Sequence, residues 1–165
     1  TGVQTCPLPI SQSRPRARDA SWLLVDGIGA NPWGDFEHLL HELDERARET
    51  RGAAVTIVRI DEALRTASCA AVGNVSAFVQ TGKATRHFGG SSWTVGGKHR
   101  MNRAVRPEKI ELAPGSAVVL FTDGVSSSVE VSVELLHEHP VVVAHAIATA
   151  YGRPQNDDVT VVVAR

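Results

Sequence analysis

Ala117-Val-Val-Leu-Phe-Thr-Asp-Gly-Val125 is the stretch on which the reading of the chain turns. Its opening residues are apolar and mostly β-branched or aromatic, a pattern that predicts a strand buried on both faces. The run stops abruptly at Asp123-Gly124. A carboxylate at the tip of a rigid strand, followed by a Gly that permits a sharp turn, holds an anionic oxygen in a fixed place. The pattern recurs at Ser21-Trp-Leu-Leu-Val25, which runs into Asp26-Gly27-Ile28-Gly29. A third acidic pair, Asp157-Asp158, opens the last apolar run, Val159–Val163. Three strand-end acids far apart in sequence are what a hard-cation site built on a sheet requires.

Composition narrows the function classes. The 165 residues fit one domain, and an apolar share of 42% suffices for a core. No run approaches the ~18 apolar residues of a membrane span, so no membrane partner is expected. A net charge of −1 leaves no basic excess to neutralise phosphates, which argues against nucleic acid. Arg14, Arg16 and Arg18 form the one basic cluster, read as a solvated loop. Cys6 and Cys69 stand far apart with no Cys or His at ligand spacing, as expected of reduced thiols in a cytoplasmic protein. No signal peptide is expected, and the start at Thr1 reads as that of a trimmed chain or a piece of a longer protein.

Along the chain, residues 1–18 read as an irregular lead-in or a short edge strand, followed by a strand at Ser21–Val25. Phe36, Leu39, Leu40, Leu43 and Ala47 fall at helical spacing, which predicts a helix within Asn31–Arg51, with Asn31 as N-cap and Gly52 as stop. Strands follow at Ala53–Ile60, Ser68–Val72, Val75–Gln80 and Ala84–Phe88, then at Glu108–Leu112 and Ala117–Thr122. Between them Gly89–Arg106 is loop with one short strand. Ser126–His137 is a weak helix and Val141–Tyr151 a stronger one, closed by Gly152 and Pro154. Consecutive hairpins with helices inserted early and late predict an α+β sandwich of antiparallel sheets covered by helices.

Oxygen ligands favour Mg²⁺ or Mn²⁺ over zinc. Two such ions roughly 3.5–4 Å apart would turn a bound water into a nucleophile and neutralise charge on a phosphoryl group. That chemistry suits in-line hydrolysis of a phosphate monoester without a covalent protein nucleophile. The plainer alternative is that each Asp-Gly is a turn and Asp157-Asp158 a loop corner. His38, His41, His137, His139 and His145 read as surface residues. Ser126–Ser128 lacks the Gly-x-Ser-x-Gly setting of a nucleophile and reads as a polar loop.

Leu-Leu-Val-Asp-Gly-Ile-Gly (23–29), Pro-Gly-Ser-Ala-Val-Val-Leu-Phe-Thr-Asp-Gly-Val (114–125) and Asp-Asp-Val-Thr-Val-Val-Val (157–163) resemble the three metal-binding motifs of metal-dependent protein phosphatases, the PPM family. The resemblance is closest to its SpoIIE-like branch. Arg51–Asp61 and Ala70–Ala77 are similar to the small RsbX-type members, which act on phosphorylated stressosome and anti-sigma-antagonist proteins. It implies an α-β-β-α sandwich of two antiparallel sheets and a Mn²⁺- or Mg²⁺-dependent serine/threonine phosphatase using two ions. By the same resemblance Asp26 bridges the metals, the Gly27 carbonyl binds one, and Asp123 and Asp157 complete the other. The attacking water is then metal-bound and held by Asp26 and Asp123, with Asp19 orienting it and Asp158 supporting the ligands from behind. Asn74 occupies a turn where many relatives carry an acid for a third metal. The expected partner is a phosphorylated STAS-domain regulator.

The sequence departs from the SpoIIE-like pattern after Gly29, where Ala30-Asn31-Pro32-Trp33 leads into one short helix. The regulatory helical face is therefore expected to be reduced. Two other readings stay open: a catalytically weak phosphatase-fold adaptor that binds a signalling partner, and a hydrolase of small phosphate esters.

Overall fold

The computed structural model describes residues 2–5, 15–90, 93–97, 105–153 and 158–165. Two four-stranded sheets lie face to face with helices on both outer sides. Sheet 1 has the order β1 (Gly2–Thr5), β2 (Val55–Asp61), β3 (Thr66–Val72), β6 (Glu108–Glu111), and sheet 2 the order β5 (Ala84–Phe88), β4 (Ser76–Thr81), β7 (Ala117–Phe121), β8 (Val161–Ala164). Every pairing is antiparallel. The predicted α+β sandwich is the observed fold.

Period-2 alternation builds the layers. In β2 and β3, Val55, Ile57, Ala70 and Val72 face helices α1 (Pro15–Ala30) and α2 (Phe36–Arg46). Val58, Cys69 and Ala71 point the other way and meet Val79, Val118 and Leu120 of sheet 2. Phe78, Val119 and Phe121 then turn outward onto Leu136 of α3 (Val133–Leu136) and Val143 and Ile147 of α4 (Pro140–Tyr151). Phe78 is fully buried at the centre of that outer layer, where loss of an aromatic ring costs about 3–5 kcal/mol.

The structure corrects the first predicted strand. Ser21–Val25, with Asp26, lies inside helix α1. Ala20, Leu24 and Ile28 are buried four residues apart while Trp22 and Leu23 are exposed, which is the periodicity of a helix face and not of a strand. A short apolar run satisfies both patterns, and the helix is the one that packs. Gly27 is buried against α2, where an added Cβ would stand 2.5 Å from Leu43 Cδ2. Its missing side chain therefore lets the two helices close.

Helix α2 also begins later than predicted. Asp35, and not Asn31, is the N-cap, its carboxylate accepting from the His38 amide at 3.0 Å. Asn31 instead accepts the Gly34 amide in the preceding turn, at 3.2 Å. The helix ends at Ala47, so Gly52 does not stop it; with φ +77 and an added Cβ 2.9 Å from the Gly96 carbonyl, Gly52 admits the close approach of the segment around Val95. At the N-terminus β1 is a short edge strand, and α1 starts at Pro15, so Arg16 and Arg18, read as loop, fall within a helix. The Ser126–His137 helix shrinks to the four residues of α3, whereas α4 matches the prediction closely.

Cys69 lies between the sheets, and burial, reinforced by the Glu108 charge, pushes its thiol up from 9.0 to about 12. A thiol whose folded pKa is raised leaves its stabilisation intact below pH 9 and loses it as pH climbs toward 12. In a Cys6→Ser background, native protein at pH 8 should resist iodoacetamide, and stability to urea should fall from pH 9 upward. Cys69→Ala should flatten that slope; rapid native-state labelling would contradict the burial.

Candidate functional site

Strand β7 is buried at all five positions and delivers Asp123 to its end as an exposed residue. Thr122 is the latch beneath it. Its amide donates to the Thr160 carbonyl at 3.2 Å, its hydroxyl to the Asp158 carbonyl at 3.0 Å, and it accepts the Thr160 amide at 3.1 Å. These bonds set the start of the last strand, and hence Asp158, beside the Asp123 corner. The Val125 amide closes the turn on the Thr122 carbonyl at 2.9 Å.

Asn74 approaches from the other hairpin and donates its side-chain amide to the Asp123 carboxylate. It stands in the turn between β3 and β4, after Gly73. Gly73 has φ +96, and an added Cβ would lie 2.4 Å from Ala54 Cβ and 2.8 Å from its Cα. Only Gly makes this turn without displacing backbone. The residue singled out as a departure from acid-bearing relatives is thus the one that orients Asp123.

Asp19 and Asp26 are exposed on α1, in the outer layer over sheet 1, and Gly27 faces α2. Asp157 is outside the described residues. Among the described residues no group of three or more His, Cys, Asp or Glu is close enough to hold a metal ion. The donors at the corner are carboxylate and carbonyl oxygens, which suit Mg²⁺ or Mn²⁺ and not a soft metal. In donor chemistry the corner fits a hard cation. All five histidines read as surface residues are exposed.

Sequence reasoning missed Arg153. Its amide donates to the Gly124 carbonyl at 2.7 Å, and Nη2 donates to Ser126 Oγ at 2.7 Å. Ser126 and Ser128 share a hydrogen bond of 2.8 Å between their hydroxyls. Nothing local marks a residue just after a helix as a partner of Gly124 and Ser126. The contact follows from the long-range bridge of Val125 with Gly152.

A cleft of about 600 Å³ opens away from this corner, on the outer face of sheet 2, between Gln80, Lys83 and His87 and the loop around Ser127–Ser132. Gln80 ties that loop down by donating to the Val131 carbonyl at 2.5 Å. At its rim, hydrogen bonds from the Glu134 backbone amide and from Ser132 lower the Glu134 carboxyl pKa. Neither Asp123 nor Asn74 lines this cleft.

Comparison with known proteins follows the architecture. The sequence profile of the family described as Stage II sporulation protein E (SpoIIE) matches residues 29–165, beginning just after Asp26 and Gly27. No curated protein sequence matches. Among solved structures, a protein from work on the bacterial stressosome as a modular system adapted to control secondary messenger signalling superposes with TM-score 0.80 at 19% identity, covering 99% of this chain and 90% of that one. RsbX in complex with magnesium gives 0.75 at 18% identity, over 92% and 74%. The PP2C phosphatase domain of SpoIIE from Bacillus subtilis gives 0.65 at 15% identity, over 93% and 51%. At such identities the structures establish a shared PP2C-type phosphatase fold. Together with the profile, which spans most of the sequence, they show that the chain belongs to the SpoIIE family.

Proposed function

We propose that the chain is a cytoplasmic Mn²⁺- or Mg²⁺-dependent protein serine/threonine phosphatase acting on a phosphorylated regulatory protein, with a STAS-domain regulator as substrate. The observation that carries this reading is the exposed Asp123 carboxylate, fixed by β7 and Asn74 in a chain of the SpoIIE family. Asp123, Asp157, Asp26 and the Gly27 carbonyl are the proposed cation ligands, with Asp158 and Asp19 supporting them. When bound, two cations would neutralise phosphoryl charge and make a water acidic enough to attack at neutral pH. The chain's own part is positioning. Asn74 restricts the Asp123 side chain, and the Thr122 latch fixes the strand end from which the carboxylate projects.

The adaptor reading is favoured by a different observation. Asp26 rides on an exposed face of helix α1, and among the described residues no three-ligand group forms. A module of this kind would bind a phosphorylated partner without turning it over.

Activity on a phosphoserine-bearing STAS protein is expected to rise with Mn²⁺ as simple saturation, to vanish with EDTA, and to need no activator protein. Asp123→Asn should lower activity at limiting Mn²⁺ by at least roughly 100-fold, since even supporting residues around metals are worth 10–100-fold. Its circular dichroism should stay near wild type because the side chain is exposed. Partner binding with no turnover under any metal condition would favour the adaptor.

A further inference from the structure

The geometry points to Arg153 as the residue that receives the substrate's phosphoryl oxygens; this rests on the phosphatase reading above. Three observations converge. The Arg153 backbone is bonded to Gly124, the residue immediately after Asp123, at 2.7 Å. The guanidinium is held in place, Nη2 donating to Ser126 Oγ at 2.7 Å, with Ser126 in turn bonded to Ser128 at 2.8 Å. The residue is nonetheless exposed, whereas Ser126 beneath it is buried. A fixed base under an exposed cation is the arrangement of a receptor for an anion arriving from solvent.

The chemistry follows from the donors. A guanidinium carries five N–H groups in a planar fork, so one bond to Ser126 leaves its geometry suited to oxygens of a tetrahedral anion. Anchoring on Ser126 removes much of the rotamer freedom that a loose Arg would lose on binding. A dianionic phosphate approaching Asp123 meets a repelling carboxylate, and Arg153, attached at the same turn, offsets that charge. Arg153 makes and breaks no covalent bond. It binds, and it orients the phosphoserine beside Asp123.

This assignment separates Arg153 from a residue that only braces the loop. A brace would be insensitive to phosphate, whereas a receptor sets the preference for phosphorylated over unphosphorylated chains. The gain expected of a charge-assisted pair in a solvated site is roughly tenfold in affinity.

The test titrates an alanine-flanked phosphoserine peptide and its serine counterpart into wild type, Arg153→Ala, Arg153→Lys and, as a distant control, Arg86→Ala, by NMR in EDTA. Wild type and Arg86→Ala should bind the phosphopeptide roughly tenfold more tightly, Arg153→Ala should lose the preference, and Arg153→Lys should retain part of it. Melting temperatures reveal whether the variants remain folded, and Arg153→Lys keeps the assay valid if Arg153→Ala does not. An undiminished preference in folded Arg153→Ala, or no preference in wild type, overturns the assignment. With Mn²⁺ and a phosphoserine STAS protein, Arg153→Ala should raise KM more than it lowers kcat. Turnover with an unchanged KM would remove Arg153 and leave the phosphatase reading standing. Phosphate preference without turnover would do the reverse.

Discussion

Strand β7 carries the structure because it is buried on both faces. Val118 and Leu120 pack into the inter-sheet core, while Ala117, Val119 and Phe121 pack against the layer capped by α3 and α4. It also pairs with β4 on one side and β8 on the other. A strand held in four directions cannot shift register without exposing one core or the other. The end of that strand is consequently among the most rigid places in the fold, and Asp123 is placed there. Asn74 and Asp158 come from the two strands' approaches that flank it, so the corner inherits its geometry from the sheet.

Rigidity of position and exposure of the group are combined by a one-residue step. Thr122 is buried and spends its polar groups on Asp158 and Thr160, and Asp123 is open. Gly124 turns the chain and offers its carbonyl to Arg153. The Arg153 backbone thereby meets the turn that carries the Asp123 carboxylate, while its guanidinium is held on the Ser126 hydroxyl.

Much of this was legible in the residues. The run Ala117–Phe121, rich in β-branched residues and closed by Asp-Gly, reads as a doubly buried strand and is one. The hairpins from β2 to β5 are similarly marked by alternation and turn glycines, and helix α4 by Gly152 and Pro154 at its end. Ser21–Val25 misled because four consecutive apolar residues fit a strand as well as a helix, and the decision lay in tertiary packing of Leu24, Gly27 and Ile28 on α2. Asp26 was read with that run and so was placed on a strand end, whereas it rides on α1. Asn31 lost the cap to Asp35 because two competent N-caps lay within one turn of each other. Arg153 was invisible for another reason: its neighbour in space is set by the Val125–Gly152 bridge, and no local pattern encodes a pairing of that range.

The central claim is that the Asp123 corner binds the divalent cation. Paramagnetic broadening by substoichiometric Mn²⁺ in amide NMR spectra tests it most directly, since the effect depends on distance and needs no turnover. Amides of Asn74, Thr122, Asp123, Gly124 and Asp158 should broaden first, and Asp123→Asn should abolish the effect. Broadening centred instead on the exposed histidines of α2 or around α4, or unchanged by Asp123→Asn, would contradict the account.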